Sequence, residues 1–468
     1  MGDHAHLKVS SAAPGPGRWP RATSWLSLSG SQWRDRSGLT PVFLAPGQWS
    51  SCHRVRGRVL DVGTVPRVID IVGVPFEGPE ALPPASRTLI EGARTLIGSP
   101  RLLEHLPVVG GQRRESWPSP LLPALPGLME RVGAEGVVVL ATGDPLRSGI
   151  GSTLVRLLGA DAVRIHPAVS SVGLARARMG WSAEETVVVS LVSAPVPTLR
   201  RQLTPAARLV VLSAGAHTPG DVAHWLVEQG CGPSRMTVLG HLGGDDESRI
   251  DTTAETLAAT APGIPALNVV ALEVITAPGR VLPGSAPGRE DDAFDHDGQI
   301  TKSEIRALAL AALRPMRGQL LWDLGAGSGS VSIEWCLMAE GARAVAVESN
   351  LERAARVTAN AAAFGVTVEV VHAASSEVIA DLEAPDAVFI GGGASGEVVD
   401  AAWQRLRPGG RLVVHAVTLE TEAVVISAQA AHGGHLRRVS VERAEPLGRF
   451  LSWTPARSIV QWSATKES

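Results

Sequence analysis

Two α/β domains in series are what this chain predicts, and three observations predict them. Short apolar runs ending in glycine, proline or serine alternate with stretches long enough for helices. One segment without any period, TAPGRVLPGSAPGREDDAFDHDG (276–298), is rich in proline, glycine and acid and divides two such series. Beyond it, LLWDLGAGSGSVSIEW (320–335) reads as a strand, a tight glycine loop and the first turns of a helix. The length of 468 residues, more than one core usually serves, agrees with two domains or more.

Residues 1–66 carry eight Lys or Arg against three Asp, with scattered Trp and no sustained period. Such a segment cannot bury enough apolar surface to offset its ordering entropy, so a disordered, dispensable extension is expected. It is arginine-rich and acid-poor like a transit peptide, but its prolines and glycines spoil an amphipathic helix.

From residue 67 onward, VIDIVGV (68–74), GVVVLATGD (136–144), TVVVSL (186–191), ARLVVLSA (207–214), MTVLGHL (236–242) and LNVVALEVI (267–275) have the length and composition of buried strands. These place a first domain at 67–275 and a linker at 276–293. The second domain, 294–468, offers seven strand runs: QLLWDLGA, ARAVAVES, VTVEVVHA, PDAVFIGGG, GRLVVHAVT, HLRRVSVERAE and ARSIVQWSA. Helical stretches separate the first five. Only PLGRFLSWTP separates the last two, too short for a crossover helix, so they should pair antiparallel. A parallel sheet closing in an antiparallel pair is the shape of a seven-stranded, Rossmann-like class I methyltransferase domain.

Composition excludes several function classes. The chain is 44% hydrophobic and 19% charged, with no apolar run long enough to span a bilayer. A formal charge of −3 argues against a nucleic-acid binder as a whole. Cys52, Cys231 and Cys336 have neither CxxC nor metal-ligand spacing, so a reducing, cytoplasmic setting and no metal are expected.

The glycine loop carries the chemistry. Its pattern is Gly325, Gly327, Gly329, whereas a dinucleotide loop prefers G-x-G-x-x-G with the helix N-terminus on a pyrophosphate. Glu348 ends the next strand, where a carboxylate can accept both hydroxyls of a ribose. Asp323 just before the loop is an awkward neighbour for a pyrophosphate and a tolerable one for a cationic sulfonium. S-adenosylmethionine therefore fits better than NAD. The Asn/Asp-Pro-Pro-aromatic stretch of amino-group methyltransferases is missing after the fourth strand, and Cys336 sits on a helix as a packing residue rather than a nucleophile. Gly391, Gly392 and Gly393 remove side chains where a large flat substrate could lie.

FDHDGQITKSEIRALALAALRP, LLWDLGAGSGSVSIEW and DAVFIGGGASGEVVDAAWQRLRPGGRLVVHAVTLET closely resemble the C-terminal domain of the precorrin-6Y C(5),C(15)-methyltransferase (decarboxylating) family of cobalamin biosynthesis. ATGDPLRSGIGSTLV, HPAVSSVGLARARMGWSAEE and TVLGHLGGDDESRI resemble the tetrapyrrole methylase domain that the family fuses ahead of it. The resemblance implies a two-lobed N-terminal fold, with its lobe boundary near 165, that methylates carbon 5. It implies a C-terminal fold that methylates carbon 15 and decarboxylates the ring C acetate, giving precorrin-8, and two S-adenosylmethionine sites per chain. Carried over by motif, the C-terminal cofactor site takes Thr301, Gly325, Ala326, Gly327, Ser328, Gly329, Glu348 and Ala374. The N-terminal one takes Gly73, Gly143, Asp144, Pro145, Ser170 and Ser171. Two positions depart from the family pattern: Pro75 where a glycine is normal, and Ala373 where an Asp is common.

Gly391 to Gly393, Arg147 and Arg306 are the substrate-side candidates, with Arg176, Arg178 and Lys302 beside them, because precorrin side chains are carboxylates. His296 and Glu334 are the candidate general acid or base. The expected partners are a tetrapyrrole and further copies of the chain, with no nucleic acid and no membrane. The alternative is an RNA or protein methyltransferase with an unrelated N-terminal domain, which needs a basic, aromatic-studded catalytic face.

Overall fold

The computed structural model describes residues 68–133, 135–260 and 262–467, so the expected N-terminal extension lies outside the described residues. The first sheet is built from β1 (Ile69–Val74), β2 (Thr95–Gly98), β3 (Arg113–Ser116), β4 (Val137–Thr142) and β5 (Val163–His166). Its order is β3-β2-β4-β1-β5 and every pair is parallel. Alternation sends Ile71, Ile97, Val137 and Val139 into one core and Val72, Leu96, Val138 and Leu140 into the other. Both faces are covered, which is why β4 reads as a continuous apolar run.

The second sheet holds β6 (Thr186–Ser190), β7 (Arg208–Leu212), β8 (Arg235–Gly240), β9 (Ser248–Thr253) and β10 (Asn268–Glu273), in the order β6-β7-β10-β8-β9. Only β6 and β7 run parallel; β10 lies antiparallel to both neighbours, and β8 and β9 form an antiparallel pair. This lobe is therefore mixed, unlike the first.

The third sheet contains β11 (Leu320–Leu324), β12 (Arg343–Glu348), β13 (Val368–His372), β14 (Ala387–Ile390), β15 (Arg411–Ala416), β16 (His435–Val439) and β19 (Ile459–Thr465). In the order β13-β12-β11-β14-β15-β19-β16 five parallel strands are followed by β19, which runs against them, and then β16, and the last two pair antiparallel as the sequence predicts. Trp322 and Trp462 are fully buried on its strands. Trp462 also donates from Nε1 to the Gly433 carbonyl at 2.9 Å.

One strand differs from expectation. HLRRVSVERAE is not a single strand: it ends at Val439, and the chain leaves the sheet as an antiparallel ribbon of β17 (Glu442–Leu447) and β18 (Phe450–Pro455). The ribbon turns at Gly448–Arg449, with Gly448 at φ 63°, and all of its strand residues are exposed. Its apolar residues match a strand pattern, and among the described residues β17 and β18 pair only with each other.

The linker is pinned rather than loose. Ala277 N–H donates to the Gly230 carbonyl, and the Arg289 side chain donates to the carbonyls of Gly284 and Ala286. The two halves also touch directly. Arg200 lies against the rings of Trp225 and Phe364, 5.6 and 4.9 Å from their centroids, and donates to the Ala363 carbonyl. Arg201 donates to the carbonyl of Cys336.

The sheet core generates one expected outcome. Trp462→Ala removes a fully buried indole that packs beside Trp403, and should cost about 3–5 kcal/mol in urea unfolding. A loss below about 1 kcal/mol would mean that the third sheet does not depend on this packing.

Candidate active site

Strands β11 and β14 are parallel neighbours with Leu324 opposite Ile390, so the loops at 325–329 and 391–393 leave the same sheet edge side by side. They meet backbone to backbone. Gly325 has φ 73°, and a Cβ placed there would lie 2.5 Å from the Gly392 carbonyl oxygen. Strand β12, on the other side of β11, brings Glu348 to the same edge. Its carboxylate accepts from the N–H of Gly327 at 2.8 Å and of Asn350 at 2.9 Å. A carboxylate has about four lone-pair sites, so roughly two remain for a ligand.

These elements wall a cavity of about 750 Å³. Of the expected cofactor residues, Thr301, Gly325, Ala326, Gly327, Glu348 and Ala374 line it, and so do Ala373 and the substrate-side Gly391 to Gly393. A Cβ at Gly392 or Gly393 would meet nothing within 4 Å, so those two residues keep space open rather than allow tight packing. The arrangement fits an adenosyl ligand, with bare main chain to lie on and spare acceptor capacity beside it.

Ser328 and Gly329 do not line the cavity. Ser328 is buried, and Gly329 abuts Val357 and precedes the helix Ser330–Met338. Asp323 lies behind the loop, where its Oδ2 accepts from the N–H and hydroxyl of Ser332 while Oδ1 has no partner among the described residues. Burial, with a smaller contribution from Glu348, pushes this carboxyl up to about 6. Burial likewise pushes the Cys336 thiol up to about 12, which agrees with packing and excludes a thiolate nucleophile.

Three expectations are corrected. Arg306 is fully buried and does not reach the cavity. Its guanidinium bonds Glu334 at 2.9 Å, Asp291, and the carbonyls of Thr301 and Arg289. Glu334 is equally buried and does not line the cavity; besides Arg306 it accepts the N–H groups of Gly288 and Arg289 at 2.7 and 2.9 Å, so its carboxylate holds main chain and does not reach a ligand there. His296 does not line the cavity, and its Nδ1 accepts from the Gly298 N–H. Arg306 and Glu334 instead fasten the segment whose residues 298–302 form one wall of the cavity.

A second cavity, about 340 Å³, opens between the first two sheets, with Thr142 and Gly143 from one and Leu212, Leu239 and Val269 from the other. Gly143, Arg147, Ser170 and Ser171 line it. Gly73 supports it from behind, where a Cβ would lie 2.0 Å from the Gly143 carbonyl oxygen. Asp144 and Pro145 do not line it; Asp144 caps the Leu146 N–H at 2.9 Å. Arg176 and Arg178 also lie outside the lining, and Arg178 is held by Glu247.

Sequence reasoning missed several lining residues. In the N-terminal cavity they include Phe76, directly after Pro75, which stacks on His241, and Asn268, a buried amide whose Oδ1 has no partner among the described residues. In the C-terminal cavity they include His415, Arg443 and Arg457. His415 sits inside an apolar strand run and the arginines sit around the ribbon, places that carry no motif.

Two family models match this chain. One, described as tetrapyrrole (corrin/porphyrin) methylases, matches residues 68–258, and one described as precorrin methyltransferase domain matches residues 292–466. The chain is 42% identical over 402 residues to a precorrin-6Y C(5,15)-methyltransferase [decarboxylating] of Sinorhizobium sp, covering 85% of this chain and 96% of that one. It is 43% identical over 402 residues to the protein of the same name in Mycobacterium tuberculosis, covering 85% of this chain and all of that one. A shorter relative from Pyrobaculum calidifontis, a probable cobalt-precorrin-6B C(15)-methyltransferase (decarboxylating), is 35% identical over 181 residues, 37% of this chain and 92% of its own length.

The buried ionic cluster generates its own expected outcome. Arg306→Met leaves the Glu334 carboxylate buried without its cation, which should cost about 3–5 kcal/mol in urea unfolding. Adding Glu334→Leu should restore part of that loss. A single-variant loss below about 1 kcal/mol would contradict the clamp.

Proposed function

The chain belongs to the precorrin-6Y C(5,15)-methyltransferase (decarboxylating) family, and from that premise we propose how its two halves divide the reaction. It is an S-adenosylmethionine-dependent methyltransferase of cobalamin biosynthesis that methylates precorrin-6Y at carbons 5 and 15 and decarboxylates it. A match over 85% of the chain overtakes the reading as an RNA or protein methyltransferase.

The N-terminal half, 67–275, methylates carbon 5; the C-terminal half, 294–468, methylates carbon 15, removes the ring C carboxyl as carbon dioxide and releases precorrin-8. The observation that carries this division is the pair of separate cavities, each floored by glycine backbone at a sheet edge, in halves that match two different family models. A relative with one domain's length, named for the carbon 15 reaction alone, supports the separability of that half reaction.

Each half binds one S-adenosylmethionine, whose sulfonium supplies the methyl group. In the C-terminal cavity Gly325 to Gly327 leave the main chain bare for the adenosine, Glu348 accepts from the ribose hydroxyls, and Thr301 and Ala374 flank the base. The open space beside Gly391 to Gly393 receives the macrocycle, and Lys302, Arg443 and Arg457 offer cations to its carboxylates. In the N-terminal cavity Gly143, Ser170 and Ser171 border the cofactor and Arg147 faces substrate carboxylates. Holding an electron-rich carbon in line with the methyl group is the main demand on both sites.

The enzyme also assembles as a homo-oligomer through the ribbon, on which Leu447, Phe450, Leu451 and Trp453 are 64–71% exposed. Apolar side chains gathered on a two-stranded ribbon are marginal in water and gain by burial against another copy.

Wild-type protein given S-adenosylmethionine and precorrin-6Y should release a product heavier by two methyl groups and lighter by one carbon dioxide. Glu348→Ala should lower the calorimetric count of cofactor sites from two to one per chain, and the product should then carry one added methyl and every original carboxylate. Loss of both sites, or of neither, would contradict the division. Light scattering should report more than one copy per particle for wild type, and a single copy after Leu451→Glu with Trp453→Glu. An unchanged particle mass would remove the ribbon from the interface.

A further inference from the structure

The carbon 15 half reaction contains a proton transfer that no residue considered so far performs. In that step, which rests on the division of labour above, the positive charge of the sulfonium and the negative charge of the acetate cancel as the methyl is transferred and carbon dioxide leaves. The bridging carbon gains a bond to the methyl group and rejoins the conjugated ring only by losing its hydrogen as a proton. The bond between the acetate methylene and its carboxyl carbon breaks, leaving its electron pair on the methylene and the macrocycle. A proton must then bond to that methylene to make a methyl group. One proton departs, one arrives nearby, and apart from the methyl transfer nothing is oxidised or reduced.

Most titratable groups around the C-terminal cavity are already engaged. Glu348 holds two backbone N–H groups, Lys302 pairs with Asp291, Arg443 grips both oxygens of Glu304, and Arg353 pairs with Asp297. His415 differs. It lies on β15, is 6% exposed and lines the cavity that holds Gly325 and Gly391. Its Nε2 is 3.1 Å from Oε1 of Gln461, its register partner on β19, and Phe389 of β14 meets it edge to face with centroids 5.0 Å apart. Neighbouring strands on both sides therefore fix the ring.

With Gln461 Oε1 accepting from Nε2–H, the lone pair sits on Nδ1, and among the described residues nothing hydrogen-bonds that atom. We propose that His415 is the proton shuttle of the carbon 15 half reaction: Nδ1 takes the proton from the methylated bridging carbon and delivers it to the methylene that carbon dioxide has left. The imidazole ends as it began, and Gln461 keeps one acceptor on Nε2–H throughout. Burial holds this imidazole down to about 4, so at neutral pH it starts in the uncharged form that can receive a proton. Once charged in that setting it is a strong acid, which favours the return step.

The test uses the full chain with S-adenosylmethionine and precorrin-6Y. His415→Gln should slow methylation at carbon 15 with decarboxylation by about 10²–10⁴-fold. Carbon dioxide release should fall by the same factor. Calorimetric affinity for S-adenosylmethionine at both sites should match wild type. Imidazole added to His415→Ala should restore part of the lost rate. Nitrogen-15 NMR of wild type should show a neutral Nε2–H imidazole that disappears in His415→Gln. A carbon 15 rate within threefold of wild type, or a loss that imidazole does not relieve while cofactor affinity is unchanged, overturns the proposal. So does an imidazole at 415 found charged or protonated at Nδ1 at neutral pH, whether or not the variants fold. Wild-type protein that never adds a second methyl overturns the parent reading along with this one.

Discussion

The close approach of Gly325 to the carbonyl of Gly392 is the constraint on which the C-terminal half depends. Two loops from adjacent parallel strands reach the same sheet edge, and only main chain fits where they meet. That contact leaves one side of the cavity without side chains. It also sets Glu348, one strand over, close enough to hold the Gly327 N–H and still offer lone pairs outward. A side chain at 325 would force the loops apart before any question of ligand arose. The N-terminal half solves the same problem with other residues: Gly73 lies against the Gly143 carbonyl, and the cleft opens between two lobes instead of along one sheet.

Charge serves framework in this molecule as much as chemistry. Glu334 lies on the helix that follows the glycine loop and Arg306 bonds to it, yet both are consumed in fastening residues 288–302 over the cavity. Buried ions with every partner present are weak evidence of net stability, but loss of one partner is expensive, so such a pair specifies one arrangement of the wall. Asp297 extends the fastening at the surface, where hydrogen bonds from Arg353 and the Gln299 N–H hold its carboxyl at about 2. Arg200 and Arg201 tie the halves together near the same helices, so the linker is only one of several connections between them.

Much of this was legible in the sequence because apolar periodicity and glycine placement are local signals. The seven-stranded sheet, its antiparallel close, the Gly325 loop and the acid at 348 all follow from runs of eight to eleven residues. Strands β2, β3, β5 and β9 gave no such signal. RRES is four polar or charged residues at a sheet edge, and SRIDTT is a half-exposed edge strand. The ribbon looks in sequence like the end of one strand plus a link, and only the pairing of β17 and β18 with each other alone among the described residues shows that it leaves the sheet. Roles of single charged residues were the least legible. Whether an arginine near a motif faces a cavity or a buried glutamate depends on which side of a helix turns inward, and Arg306 turns toward Glu334. His415 was invisible for the opposite reason, since a histidine in the run GRLVVHAVT looks like one more core position.

The most direct measurement is a crystal structure of the full chain with S-adenosylhomocysteine. The adenosine should lie along Gly325–Ala326–Gly327 with its ribose hydroxyls on the Glu348 carboxylate, and a second molecule should occupy the cleft beside Gly143 and Ser170. A ligand bound elsewhere, or a Gly325 loop closed over by its own side chains with Glu348 turned away, would contradict the reading of both halves.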